Sequence, residues 1–186
     1  MDSATTFDVM TPAIPTPPAG VHIVEFAYVA HLGPLLARWH AQEWGHLYDT
    51  WDQVQAEAEF AAMTTAGVLP TTWVAFDGDR RDEGAVMGSV TLALTDDLPG
   101  YESLSPWLVS LFVAPAHRNG GVGAALVERL MAEADGLGVD TVWLFTAGQE
   151  GYYLERGWRC VERLDVHGEA AALMARRAAP GPSPSS

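Results

Sequence analysis

A glycine-rich turn between a short apolar strand and a helix rich in alanine and leucine is the part of this chain best suited to bind a ligand. It spans residues 111–124. A turn of this kind points several backbone N–H groups into one small space at the positive end of a helix, and that arrangement binds phosphate. Gly121 and Gly123 suit it because a Cβ there would hold the ligand away from the backbone or force a strained φ. The segment predicts a phosphate cradle, with an ordinary strand-to-helix turn as the alternative.

Two common phosphate-binding motifs are excluded. The nucleotide-triphosphate loop needs a Gly-Lys-Ser/Thr ending, and the chain contains no lysine. The dinucleotide fingerprint Gly-x-Gly-x-x-Gly needs a third glycine, which is missing after Gly121 and Gly123. The pattern that remains is Arg118-x-x-Gly121-x-Gly123.

A second motif follows about thirty residues later, after the apolar segment 142–145. It contains Tyr153 and the pair Gly157-Trp158. The two motifs together resemble the GNAT superfamily of N-acetyltransferases, whose acyl-coenzyme A loop reads Arg/Gln-x-x-Gly-x-Gly/Ala. In that family an aromatic-Tyr-x-x-x-Gly-aromatic segment comes after the loop. The resemblance covers roughly residues 21–178, and the distinctive residues lie in the second half.

The resemblance implies a mixed α/β (α+β) fold: a mostly antiparallel sheet of about seven strands with a splayed central pair, flanked by about four helices. It also implies acetyl-CoA as the co-substrate, with the pantetheine arm of the cofactor in the gap between the splayed strands. Backbone N–H groups near Phe112 and Val113 would polarise the thioester carbonyl. Arg118 either contacts a phosphate or braces the loop. The amides that would hold the pyrophosphate belong to Asn119, Gly120, Gly121, Val122, Gly123 and Ala124.

Acetyl transfer to an amine needs a base for the amine and an acid for the leaving thiolate. Tyr153 occupies the position of the family's acid, although two adjacent tyrosines could also serve packing alone. Some family members carry a glutamate on the motif strand where this chain has Trp107. Glu102 or Ser110, acting through water, are the candidate bases that remain. The alternative for Glu102 is a solvated loop residue.

Carboxylates alternate with aromatic residues between the two predicted N-terminal helices, over residues 43–52. Such a surface suits a cationic, hydroxyl-rich ligand. The alternative is a helix cap at Asp49 or Thr50 with the tryptophans packed inwards. The candidate acceptor-binding residues are Glu43, Trp44, Tyr48, Asp49, Trp51 and Trp107.

Composition narrows the function further. The formal net charge of −14, from 24 acidic and 10 basic residues, argues against nucleic-acid or anionic-membrane partners. It suits a cationic small-molecule amine, and the alternative is the generic acidic surface of a soluble protein. The single Cys160, the absence of an apolar membrane span and the absence of a secretory signal fit a cytoplasmic protein. The histidines show no metal-ligand spacing, so no metal is expected. The family resemblance also implies a possible homodimer.

The elements that must position these residues form one domain at 21–178, between a proline-rich flexible arm at 1–20 and a disordered tail at 179–186. We predict helices at about 33–44, 51–66, 121–136 and 149–156. The predicted strands lie at 21–30, 71–77, 85–95, 107–113, 141–146, 158–165 and 169–177.

Within the resembled superfamily, the acidic-aromatic segment and the acidic surface favour an aminoglycoside acceptor, for example one acetylated in the manner of kasugamycin at its 2′-amine. A protein N-terminus or a polyamine is the second enzymatic hypothesis. A hypothesis of another class is an acyl-coenzyme A sensor or interaction module without turnover, because the motif-strand glutamate is missing.

Overall fold

A computed structural model describes residues 17–47, 50–96, 98–166 and 168–178 of the 186-residue chain. The segments 1–16 and 179–186, which hold most of the expected arm and all of the expected tail, lie outside the described residues. So do Tyr48 and Asp49 of the expected acceptor surface. The described end of the arm forms a turn, in which Val21 N donates to Pro18 O over 2.9 Å and Gly78 N donates to Gly20 O over 2.7 Å.

Seven strands form one sheet in the order β1-β2-β3-β4-β5-β7-β6. Every neighbouring pair is antiparallel except β4 and β5. Their bounds are β1 Val21–Glu25, β2 Thr71–Asp77, β3 Val86–Ala93, β4 Trp107–Val113, β5 Thr141–Ala147, β6 Arg159–Val166 and β7 Glu169–Arg177.

Four helices cover the sheet, and each pair of helices closes a separate apolar core. The helices are α1 Gly33–Trp44, α2 Gln53–Ala62, α3 Val122–Gly136 and α4 Glu150–Leu154. One core packs α1 and α2 against Val74 and Phe76 of β2, and the other packs α3 against Trp73 and Val90. Successive residues of a strand point to opposite faces, so Trp73 and Val74 contribute to different cores. The predicted fold class is confirmed.

The first predicted strand is too long. Residues 21–30 were expected to be extended, whereas β1 ends at Glu25 and two 3-10 turns follow, Phe26–Tyr28 and Ala30–Leu32. Phe26, Val29 and Leu32 are buried in the α1–α2 core. Their spacing of three residues matches the three residues per turn of a 3-10 helix, which puts all of them on one side.

The second predicted helix, 51–66, is also shorter than expected. It begins after Asp52, whose Oδ1 accepts hydrogen bonds from Val54 N at 2.7 Å and Gln55 N at 3.2 Å. That carboxylate satisfies two of the amides that a helix start leaves free. The cap is therefore Asp52, rather than Asp49 or Thr50, and the helix ends at Ala62.

Candidate functional site

The two central strands part almost as soon as they meet. The only residue pair that joins β4 to β5 is Trp107 with Trp143, next to a hydrogen bond of 3.0 Å from Trp143 N to Pro106 O. Beyond this pair β4 continues for six more residues to Val113 and β5 for four more to Ala147, without pairing to each other. The sheet therefore has a gap that widens towards the carboxyl ends of parallel strands, where ligands bind in open α/β sheets. The expected splayed pair is confirmed.

A bulge in β4 lies inside this gap. The register against β3 pairs Ser89 with Phe112 but Thr91 with Val109, so β4 has one extra residue there. Ser110 has a φ of +52°, which is uncommon for a residue with a side chain. Bulges of this kind bend a strand and often lie beside functional sites. Gly88 permits the close approach of β3, since a Cβ there would lie 2.3 Å from the carbonyl oxygen of Phe112.

The glycine-rich turn continues from β4 into α3. Gly121 occupies the position before the helix with a φ of +82°, and Asn119 has a φ of +62°. The first helical hydrogen bond runs from Ala125 N to Gly121 O at 3.0 Å. The N–H groups of the preceding turn have no partner within the helix, and the helix dipole adds partial positive charge there. This geometry suits an anionic group of a ligand.

Gly123 is required by a neighbouring helix as well. A Cβ at this position would lie 2.9 Å from the hydroxyl oxygen of Tyr152 on α4 and 3.4 Å from Cγ2 of Val113. The Tyr152 hydroxyl is itself buried and lacks a hydrogen-bond partner. The sequence predicts that Gly123 gives a ligand access to the backbone. The structure adds a packing role, because the absence of a Cβ at Gly123 allows α4 to lie close to α3.

Arg118 braces the end of β4. Its Nε donates to Val113 O at 2.9 Å, and its guanidinium carbon lies 5.9 Å from the centre of the Phe112 ring. Its Nη2 lies 3.8 Å from Oε2 of Glu43 on α1. These contacts match the bracing alternative and link the donor loop to the first helix.

Tyr153 lies in the α3–α4 core with only 7% of its surface exposed. Its ring stands edge-on to those of Tyr152 and Trp158, with centres 5.1 Å and 5.8 Å away. Burial raises the pKa of the Tyr153 hydroxyl, and the nearby Tyr152 raises it further. The hydroxyl therefore keeps its proton at neutral pH, as a proton donor must.

The two candidate bases lie in different environments. Glu102 is exposed and accepts a hydrogen bond of 2.9 Å from Gly100 N, and that bond lowers the pKa of its carboxyl group. Ser110 is half-buried at the bulge inside the gap. Of the two, Ser110 is the one that lies on the motif strand.

Trp107 is part of the core rather than of an open surface. Its side chain is 1% exposed and packs with Leu98 and Leu173. Its Nε1 donates to Leu104 O at 2.7 Å, which fixes the loop before β4. The indole therefore supports the start of the splayed strands from behind.

The acceptor candidates that the structure describes lie on or near the end of α1. Trp44 packs edge-on against His40 and Phe112, with ring centres 5.1 Å and 6.3 Å away. Trp51 donates from Nε1 to Glu59 Oε1 at 2.8 Å and packs against the α1–α2 core. Glu43 is exposed. The structure thus brings Glu43 and Trp44 together with β4, while Trp51 faces α2.

Two residues of α1 were missed in the sequence. Trp39 lies against Phe112 with ring centres 5.2 Å apart, and with its neighbours it forms a depression of about 260 Å³. His40 is buried and shares a hydrogen bond of 3.0 Å with Ser89 Oγ, and burial lowers its pKa to about 4. The spacing of four residues between Trp39 and Glu43, and between Leu36 and His40, places each pair on one helix face and is a usable signal.

A larger depression of about 620 Å³ lies at the carboxyl end of β5, between α4 and the β6–β7 hairpin, and Glu150 and Arg163 form an ion pair in it at 2.7 Å. Among the described residues there is no group of three or more histidine, cysteine or acidic side chains that could hold a metal ion. Within the same residues, no helix is long and apolar enough to cross a membrane.

The family model described as "Acetyltransferase (GNAT) family" matches residues 35–158. Comparison with curated proteins gives no match.

Solved structures share the fold at low sequence identity. An aminoglycoside 6′-N-acetyltransferase complexed with coenzyme A is 18% identical, with a TM-score of 0.61 over 87% of this chain and 99% of that one. The ribosomal-protein-S18-alanine N-acetyltransferase from Escherichia coli is 18% identical, with a TM-score of 0.58 over 89% and 99%. A GCN5-related N-acetyltransferase from Kribbella flavida is 20% identical, with a TM-score of 0.60 over 85% and 98%.

Proposed function

Because the chain belongs to the GNAT family of acetyltransferases, we propose that it transfers an acetyl group from acetyl-CoA to a primary amine of a cationic small molecule of the aminoglycoside class. The observation that carries the donor half of this proposal is the gap between β4 and β5, with the free amides of α3 at its open end. The acceptor half rests on the acidic and aromatic residues of α1 that face the same end of β4.

Acetyl-CoA supplies the activated acyl group as a thioester. The residues of the chain hold and polarise it: the amides of residues 119–124 take the pyrophosphate, and the amides near Phe112 and Val113 donate to the thioester carbonyl and the pantetheine. Arg118 keeps the end of β4 in place through Val113 O. No metal is required for this chemistry.

Proton transfer falls to Tyr153 and to a water-linked base. In the proposal Tyr153 gives its proton to the departing thiolate. A tyrosine is protonated at neutral pH without any shift, and burial raises its pKa further, so the thiolate has to lie close to the hydroxyl to take the proton. Ser110 at the bulge, or Glu102 in the preceding loop, orients the water that takes the proton of the amine. Of these two groups only the ionised Glu102 carboxylate is a base at neutral pH, so the proton that the water takes from the amine passes on to Glu102, and Ser110 serves to position the water.

In the proposal Glu43 and Trp44 are the described part of the acceptor surface and Tyr48 and Asp49 complete it, whereas Trp51 packs towards α2 and takes no part. Carboxylates attract ammonium groups, and aromatic faces cover sugar rings. The fold similarity to an aminoglycoside 6′-N-acetyltransferase supports this acceptor class. A kasugamycin-type 2′-amine is one specific candidate.

A protein N-terminus is the second candidate acceptor, supported by the similar fold of an enzyme that acetylates ribosomal protein S18. Polyamines belong to the same alternative. An acyl-coenzyme A sensor without turnover is the candidate of another class, supported by the presence of Trp107 in place of a motif-strand glutamate.

The test is a thiol-release assay with acetyl-CoA and a panel of kanamycin, kasugamycin, spermidine and a ribosomal-type N-terminal peptide. We expect release with at least one aminoglycoside. Thiol release with the peptide only, or with spermidine only, would mean that the acceptor is of that kind and not an aminoglycoside. Binding of acetyl-CoA without release on any amine would favour the sensor.

A further inference from the structure

The depression beside α1 presents one positive and one negative side chain to solvent at the same place. Glu43 and Arg118 both line it, with side chains 44% and 49% exposed. Trp39 and Phe112 form an apolar wall, with rings 5.2 Å apart and tilted by 36°. The volume of the depression is about 260 Å³.

The pairing between the two charges is weak. Their nearest nitrogen and oxygen atoms are 3.8 Å apart, beyond the range of a hydrogen bond. Exposed ion pairs contribute little to stability, so a ligand can take over either partner at small cost. By contrast, Arg80 and Asp82 form two hydrogen bonds of 2.9 Å.

Arg118 is held in place for a ligand. Its Nε donates to Val113 O, and the two Nη nitrogens of the guanidinium take no part in that bond. A planar guanidinium fixed at one nitrogen can still bind a carboxylate through the others. A ligand with ammonium groups alone would be drawn to Glu43 and repelled by Arg118.

We propose that this depression binds an acceptor that carries a carboxylate as well as an ammonium group, with the carboxylate on Arg118, the ammonium on Glu43 and the carbon chain against Trp39 and Phe112. Phe112 lies on β4 beside the gap, so a group held there lies next to the donor site. The inference rests on the proposed acetyltransferase function and names a chemical feature of its acceptor.

Two pairs of probes separate a carboxylate-bearing acceptor from one with amines only. Lysine and cadaverine differ by the carboxylate of lysine. Kasugamycin carries a carboxylate, whereas kanamycin carries amines and hydroxyls alone. Calorimetry measures the affinity of each probe for the protein saturated with coenzyme A, and thiol release measures turnover. We expect at least one carboxylate-bearing probe to bind about tenfold or more tightly than its partner, the effect of a charge-assisted hydrogen bond.

Arg118→Gln is the decisive variant, because the family pattern allows Gln at this position and the loop should stay intact. It should bring the preference for the carboxylate to within about twofold. This preference is a ratio of two affinities measured in the same variant, so a change in the affinity for coenzyme A through the lost bond to Val113 O does not alter the comparison. Glu43→Gln should weaken the binding of both probes in each pair, because every probe carries an ammonium group. Arg80→Gln, at an exposed ion pair in the turn after β2, is the matched control and should alter neither affinity.

Equal affinity for both members of each pair, absence of binding by lysine and kasugamycin alike, or an unchanged preference in Arg118→Gln would each overturn the proposal. These results are distinct from a failure of the proposed function. That failure appears as absence of thiol release with every amine, whereas the calorimetric preference is measured without turnover.

Discussion

Tyr153 is the residue whose role can be separated most cleanly from its packing. Phenylalanine at this position keeps the ring contacts with Tyr152 and Trp158 and removes only the hydroxyl. We expect Tyr153→Phe to lower kcat by about 10²-fold or more, the usual contribution of a general acid, and to leave the affinity for acetyl-CoA nearly unchanged. Steady-state kinetics and calorimetry give the two quantities.

Tyr152→Phe is the matched control, since it removes a neighbouring hydroxyl on the same helix. The Tyr152 hydroxyl is buried without a partner, so its loss should not reduce stability. An equal drop in kcat for both variants would mean that the α3–α4 contact, rather than proton donation by Tyr153, controls turnover.

His40 predicts a pH dependence of stability. Burial lowers its pKa from 6.5 to about 4 in the folded protein. Between these values the unfolded chain binds a proton that the folded protein does not, so the free energy of unfolding decreases as the pH falls. The stabilisation is fully present above about pH 6.5 and is lost by about pH 4, and it amounts to about 3 kcal/mol. Urea unfolding at several pH values measures it.

His40→Gln keeps a side chain that can bond to Ser89 and removes the titration. We expect a shallower decrease of stability with falling pH than in the wild type. His31→Gln, at an exposed position, should keep the wild-type slope. Identical slopes in all three proteins would assign the acid sensitivity to the carboxyl groups instead.

The sequence predicted the features that depend on backbone conformation better than the features that depend on contacts between side chains. The turn at Gly121 and its left-handed backbone follow from residue types and spacing, and anion binding at this turn stays a prediction. The position of Arg118 does not, because its partners Val113 and Glu43 come from two other elements. The burial of Trp107 depends on the loop that folds over β4, which has no periodic pattern.

At the scale of elements, the contact between α3 and α4 depends on Gly123. Alanine there would place a Cβ 2.9 Å from the Tyr152 hydroxyl, so the Tyr152 side chain or α4 would have to shift. We expect Gly123→Ala to destabilise the protein by about 1–3 kcal/mol, against a gain in helix propensity of about 1 kcal/mol. The free energy of unfolding in urea measures the balance.

The double variant Gly123→Ala/Tyr152→Phe should recover most of that loss, because the atom that clashes is gone. Gly136→Ala, near the end of the same helix, meets no atom within 4 Å and should not be destabilising. A double variant as unstable as Gly123→Ala would assign the effect to the backbone of α3 instead of the hydroxyl.

Most element types could be predicted, whereas the bounds of β1 and α2 could not. Alternating and helical apolar patterns located all seven strands and four helices. The 3-10 turns after Glu25 were not predicted, because apolar residues at every third position also fit a strand that alternates imperfectly. The bulge at Ser110 escaped because it is a property of the pairing with β3, and no residue type in β4 specifies it.

For the whole molecule, the acidic surplus should assist a polycationic acceptor. The formal net charge is −14 at pH 7. We expect kcat/KM for kanamycin to fall by a factor of about 3 to 10 as NaCl rises from about 50 mM to about 500 mM, because salt screens long-range attraction. A monoamine acceptor should lose less. An equal decrease of kcat/KM for both acceptors would mean that salt acts on the binding of acetyl-CoA and not on the binding of the acceptor.

The overall architecture was predictable and the substrate was not, for a physical reason. A fold follows from patterns that extend over the chain, and the order of strands and helices here points to one arrangement. An acceptor site depends on a few side chains at the ends of elements. Two of these side chains, Tyr48 and Asp49, lie outside the described residues.

The single pair of residues that joins β4 to β5 has a consequence for solubility. A continuous sheet has two edges, but this one has four, because the inner borders of β4 and β5 also carry unpaired backbone groups. Exposed strand borders invite pairing with other extended chains and lead to aggregation. A bound donor molecule whose amides occupy the gap would cover these borders. The cellular supply of acetyl-CoA would then decide how long the protein remains in solution as well as how fast it works.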